Sequence, residues 1–165
     1  MSSRTDFRTI FALLVPILLS FFTLYIFNVG IIITQIQQSS GTNVIRIISL
    51  MLSANFRFDA ISMFTGEATP LGFLAPQFLI WLLLGYLSGT IAKGIKRGAT
   101  TSFILVVIDI LLWILFSVLA SIDLMSLFTV DEIVFTLGGI FIALIAGVFG
   151  GLIGGWISGP YEGVL

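Results

Sequence analysis

The chain has no cysteine and no histidine in 165 residues. The first absence excludes disulfides and thiol chemistry. The second removes the commonest haem and metal ligand, and together they leave zinc almost no donor set. A Cys-free chain is compatible with any redox compartment. Charge is scarce too: 9% of residues are charged, against roughly 25% in a soluble domain. The net charge of −1 leaves no basic footprint for nucleic acid.

What the chain does have is apolar. Hydrophobic residues make up 58%, mean hydropathy is +1.20, and there are 16 Phe residues. So few charges cannot cover the surface of a water-soluble fold, and the apolar surplus must face lipid. The composition predicts an all-α integral membrane protein with the bilayer as its first partner. It reads as a single membrane domain over 1–165.

Crossing the hydrocarbon takes roughly 20 apolar residues. Four runs qualify: Ile10–Thr34, Leu71–Ala92, Thr101–Ile122 and Ile133–Ile157. Thr69-Pro70 would open the second, because proline is tolerated in a first helical turn. Pro16 and Pro76 lie in or near spans and would kink them. Arg4 and Arg8 before the first run resemble a signal-peptide n-region. The run is too long for an h-region, however, and no A-x-A site follows it.

Spans two and three are joined by the basic stretch KGIKRGAT, spans three and four by the acidic DLMSLFTVDE. Arg4, Arg8, Lys93, Lys96 and Arg97 gather on one side. The other carries Arg46 and Arg57 with Asp59, Glu67, Asp123, Asp131 and Glu132. Positive charge marks the cytoplasmic side, so both termini are expected inside, in a multi-pass protein of the cell membrane. Trp156 and Tyr161 suit an inner aromatic belt, whereas Trp81 and Trp113 fall near mid-span.

Between spans one and two, residues 42–60 place Arg46, Ser49, Ser53 and Arg57 at helical spacing, opposite Ile47, Ile48, Met51 and Leu52. This reads as an extra amphipathic helix on the outer face, capped by Thr42 or Asn43. A helix buried over the top of the bundle fits the pattern equally well. The expected fold is thus a four-helix transmembrane bundle with that additional helix.

Span four contains GVFGGLIGGWISG, in which Gly fills six of thirteen places. Gly139, Ala143, Gly147, Gly151, Gly155 and Gly159 recur every fourth residue, with Gly150, Gly154 and Ser158 beside them. Glycine weakens a helix in water by about 1 kcal/mol. In lipid, no hydrophobic force drives helices together, and small residues allow close backbone approach instead. Gly85 and Gly89 give span two a shorter version of this face. Spans two and four are expected to pack as a parallel pair, or span four to meet its twin in another subunit.

Asp109 is the one ionisable residue well inside a span. A charged Asp at mid-bilayer costs roughly 2.5–3.5 kcal/mol on insertion scales, and such residues face the bundle interior. It could be a proton or ion site, or a structural group tying helices together. Candidate neighbours are Ser102 and Ser117 on its own face, and Ser20, Thr23, Tyr25 and Asn28 of span one.

Catalytic sets are missing. An aspartyl protease needs two facing carboxylates, and a rhomboid-like serine protease needs a histidine. GYLSG and GWISG therefore mark Ser88 and Ser158 as small packing residues, and no phosphate loop is present. No cofactor or metal is expected. The leading expectation is a non-catalytic accessory or scaffold subunit of a larger membrane complex, docking through its Gly-rich faces. The alternative is a small homo-oligomeric channel or transporter working through Asp109. The Gly-rich last span and basic loop are generic to small four-helix membrane proteins and assign no residue roles.

Overall fold

The computed structural model describes residues 2–27, 44–56, 76–123, 125, 129 and 133–159. These form five helices and, among the described residues, no strand: α1 (Ser2–Phe27), α2 (Val44–Ala54), α3 (Pro76–Ala92), α4 (Ile95–Leu119) and α5 (Ile133–Ile157). Two helices, α4 and α5, are long and apolar enough to cross a membrane. At 25 residues each, they span about 37 Å at 1.5 Å per residue. Phe7–Phe22 of α1 is a shorter apolar stretch among the described residues, and α3 has 17 residues. Residues 28–34 and 71–75, which the sequence reading assigns to spans one and two, lie outside the described residues.

Several boundaries differ from expectation, for identifiable reasons. α3 opens at Pro76, where the ring's fixed φ suits a first turn. Thr69-Pro70 and the cap candidates Thr42 and Asn43 are outside the described residues. Pro16 sits inside α1. The basic stretch between spans two and three is mostly helix, because α4 already begins at Ile95. Only Lys93 and Gly94 turn the chain, both at positive φ (56° and 91°). Glycine adopts that conformation without steric cost. α5 occupies Ile133–Ile157, the limits read from the sequence.

The faces are sorted by size. On α4 the buried residues include Gly98, Thr101, Ser102, Asp109 and Ser117, while Phe103, Ile104, Leu111 and Leu115 are exposed. On α5 the buried face is built from glycine and alanine, and Phe141, Ile145 and Phe149 point outward. A soluble protein's core helix would be mostly buried, yet only 33% and 39% of the apolar windows of α4 and α5 are. Small residues at the close helix contacts, with large apolar side chains such as Phe103, Leu111, Phe141 and Phe149 on the outside, is the sorting that lipid-embedded helices use.

The most extensive contact joins α3 to α5, and α4 packs against both. α2 leans on α4 and touches α1. The polar stripe of α2 does not face outward as a whole, which fits the helix covering the bundle better than one lying free on its surface. Ser49 from the polar stripe and Leu52 from the apolar side are both buried, while Arg46 is exposed. The Ser49 and Ser117 hydroxyls hydrogen-bond at 2.7 Å, two residues before α4 ends. Asn55 and Phe56 then continue inward, and both are fully buried. Phe56 stacks on Trp113 (centroids 5.4 Å apart) and tilts against Trp81 (5.1 Å). Trp113 lies six residues before the end of α4, so α2 delivers Phe56 about 9 Å below that end of the bundle. Non-helical backbone at such depth is tolerable because protein surrounds it.

Candidate functional site: a buried polar cluster at Asp109

The 3.6-residue period puts Ser102, Val106, Asp109, Trp113 and Ser117 on one stripe of α4, and all are buried. Asp109 is fourteen residues from Ile95 and ten from Leu119, about 21 Å and 15 Å from the helix ends. It has no solvent exposure. Among the neighbours expected from the sequence, Ser20 of α1 is the one it meets: Ser20 Oγ lies 3.2 Å from Asp109 Oδ1. Ser102 is used elsewhere and donates to the Gly85 carbonyl at 3.1 Å. Ser117 is engaged by Ser49. The side chains of Thr23 and Tyr25, and all of Asn28, lie outside the described part.

The cluster extends to a residue that sequence reasoning missed. Asn55, just past α2, donates from Nδ2 to the Ser20 carbonyl at 3.1 Å. Its own carbonyl accepts from Trp81 Nε1 at 2.9 Å. A continuous chain of bonds therefore runs from α3 through Asn55 and Ser20 to Asp109. The available signal was a polar residue ending an apolar helix, which by itself reads as an ordinary terminus. The mid-span position of Trp81 and Trp113 also finds its reason here, since they flank Phe56 and line this interior.

Among the described residues, two acceptors in the cluster are buried without a hydrogen-bond partner: Asp109 Oδ2 and Asn55 Oδ1. Trp113 Nε1, one turn from Asp109, is a buried donor without one. Such groups are rare because each forfeits its hydration. Ser20 adds a further constraint. Its hydroxyl lies 2.8 Å from the Ile17 carbonyl as well as near Asp109. The single hydroxyl hydrogen can point to either acceptor. Turned to Ile17, it lets Ser20 Oγ accept a hydrogen bond from a protonated carboxyl. Turned to Asp109, it satisfies a carboxylate.

The glycine faces close the other side of the bundle. A side-chain carbon on Gly85 would strike the Gly147 carbonyl, and one on Gly89 the Gly151 carbonyl. Rising numbers meet rising numbers, so α3 and α5 run parallel, and this contact lies within one chain. Gly150 and Gly154 form a second row, against the carbonyls of Leu82 and Tyr86. Gly98 of α4, not singled out in the sequence, also faces the Gly151 carbonyl. Gly155 meets Gly94, whose N–H donates to the Gly155 carbonyl at 3.2 Å. Gly139 and Ala143 are buried on the same face. Gly159 departs from the series. It lies past the end of α5 at φ +78°, and an added carbon would meet nothing within 4 Å. It ends the helix rather than lining a contact.

Among the described residues, no group of three or more His, Cys, Asp or Glu could hold a metal ion. No protein-family model, curated protein or solved structure matches the chain.

Proposed function

We propose that this is a multi-span membrane protein acting as a small channel or transporter, in which Asp109 takes up the transported proton or small cation. The observation that carries the reading is a pair of buried acceptors, Asp109 Oδ2 and Asn55 Oδ1, that have no partner among the described residues and are joined through Ser20. Acidic groups at membrane depth are costly and mark ion or proton paths. In this reading α1, α3, α4 and α5 cross the membrane, both termini are cytoplasmic, and α2 enters from the outer side. The glycine contacts make α3, α4 and α5 a rigid unit. The α1–α4 contact is among the lightest in the bundle, and it is where Ser20 meets Asp109. Opening the cluster would need α1 to shift against α4 at Ser20, while the Ser49–Ser117 bond keeps α2 on the glycine-locked unit.

The test is flux. Protein reconstituted in liposomes with an internal pH dye is given a potassium diffusion potential, first with protons and then with a sodium gradient. Wild type is expected to conduct, and Asp109→Asn to lose the flux while keeping its size and helicity. Equal flux in both, or none in wild type, would discard the reading.

A second reading is that of a non-catalytic accessory subunit on a larger membrane partner. Because Gly85, Gly89, Gly147 and Gly151 face one another inside the chain, its docking surface would be the opposite side of α5. There Phe141, Phe149 and Trp156 form an exposed aromatic ridge. Mild-detergent isolation followed by native-gel sizing separates the two readings, since a stoichiometric larger partner favours the second.

A further inference from the structure

We propose that the cavity at the α3–α4 turn binds the phosphate headgroup of an anionic lipid. This rests on the membrane placement above and is independent of any role for Asp109. The cavity holds about 510 Å³ and is lined by Lys93, Lys96 and Arg97 together with Gly94, Gly155 and Trp156. Among the described residues its lining carries three cations and no acidic residue.

Three features shape it for phosphate. First, the charges converge within five residues, because the two-residue turn starts α4 at once and places Lys96 and Arg97 in its first helical turn. Second, the helix N-terminus is uncapped: Gly94 provides no side-chain cap, so first-turn N–H groups add their partial positive charge. Third, Gly94 and Gly155 pack backbone against backbone in the wall and put no side chain into the cavity.

The surroundings select a lipid over a free anion. Trp156 is 71% exposed at the rim, and Ile95 and Ile157 are exposed beside the cations. Aromatic and apolar residues mixed with Lys and Arg at a helix end characterise the membrane interface, and basic pockets between spans on the cytoplasmic side take lipid headgroups. A site for soluble phosphate would not need an apolar rim.

Trp156 is also the probe, since Trp81 and Trp113 are buried. The protein would be placed in nanodiscs of phosphatidylcholine containing a minor fraction of brominated phosphatidylglycerol or brominated phosphatidylcholine. Stronger quenching by the anionic lipid is expected. Lys96→Gln should weaken that preference by about fivefold, the value of one cation near an anionic surface. Arg8→Gln removes a cation outside the cavity and should change it little. Equal loss in both variants would show diffuse attraction, and displacement of the brominated anionic lipid by millimolar inorganic phosphate would show a free-anion site. Either result overturns the proposal. Native mass spectrometry of the wild type gives a variant-free check: failure to retain phosphatidylglycerol over phosphatidylcholine also overturns it. Failure to enter nanodiscs at all would instead strike the membrane placement.

Discussion

Gly85 and Gly147 meet backbone to backbone, with the Gly147 carbonyl where a side-chain carbon on Gly85 would have to be. The same relationship recurs one turn on, between Gly89 and Gly151. A rigid carbonyl cannot step aside as a flexible side chain could. Gly85→Ala should therefore destabilise the bundle by about 1–3 kcal/mol, the usual cost of overpacking. Gly151→Leu should prevent assembly, because Ser102 and the Gly98 carbonyl also crowd that position. Gly159→Ala, in open space at positive φ, should cost only about 1 kcal/mol of local strain. Denaturant titration in detergent would read all three. A neutral Gly85→Ala would mean that the helices stand further apart.

The Ser49–Ser117 bond fixes α2 to α4. Either alanine variant alone leaves one buried hydroxyl without its partner, while the double variant leaves neither. A double-mutant cycle should show a coupling of about 0.5–1 kcal/mol, typical of interhelical hydrogen bonds in membranes. Zero coupling would place α2 elsewhere, as a helix resting on the bilayer surface.

Trp81 and Trp113 both flank Phe56; Trp81 donates its indole N–H to the Asn55 carbonyl, whereas that of Trp113 has no partner among the described residues. Trp81→Phe should cost about 1 kcal/mol more than Trp113→Phe, the net value of one buried hydrogen bond. Equal losses would remove Asn55 from the chain that reaches Asp109.

Ser20→Ala removes the hydroxyl beside Asp109 Oδ1 without removing the carboxyl. In the flux assay it should lower the rate without abolishing it, whereas Asp109→Asn abolishes it. Full activity in Ser20→Ala would show that the hydroxyl is only a filler between α1 and α4.

Topology can be checked directly. A reporter fused after Leu165 is expected on the cytoplasmic side, and one inserted near Glu67 on the outer side. The reverse pattern would invert the orientation drawn from the Lys and Arg distribution.

The chain's own residues determined a good deal. Scarcity of charge and a continuous apolar α5 need no partner to be read, since membrane cost acts locally, residue by residue. The four-residue recurrence of glycine marked a close-contact face for the same reason: a bare face is a property of one helix. Asp109 stood out because nothing else in its segment is ionisable. Tertiary structure decided the rest. It chose the partners of the glycine face, setting Gly151 against both Gly89 and Gly98, because complementarity belongs to two surfaces at once. It turned Ser49 inward and brought Asn55, fifty-four and fifty-eight residues distant from Asp109 and Trp113, to their level. Periodicity specifies which residues share a side of a helix, but only packing decides which way that side faces.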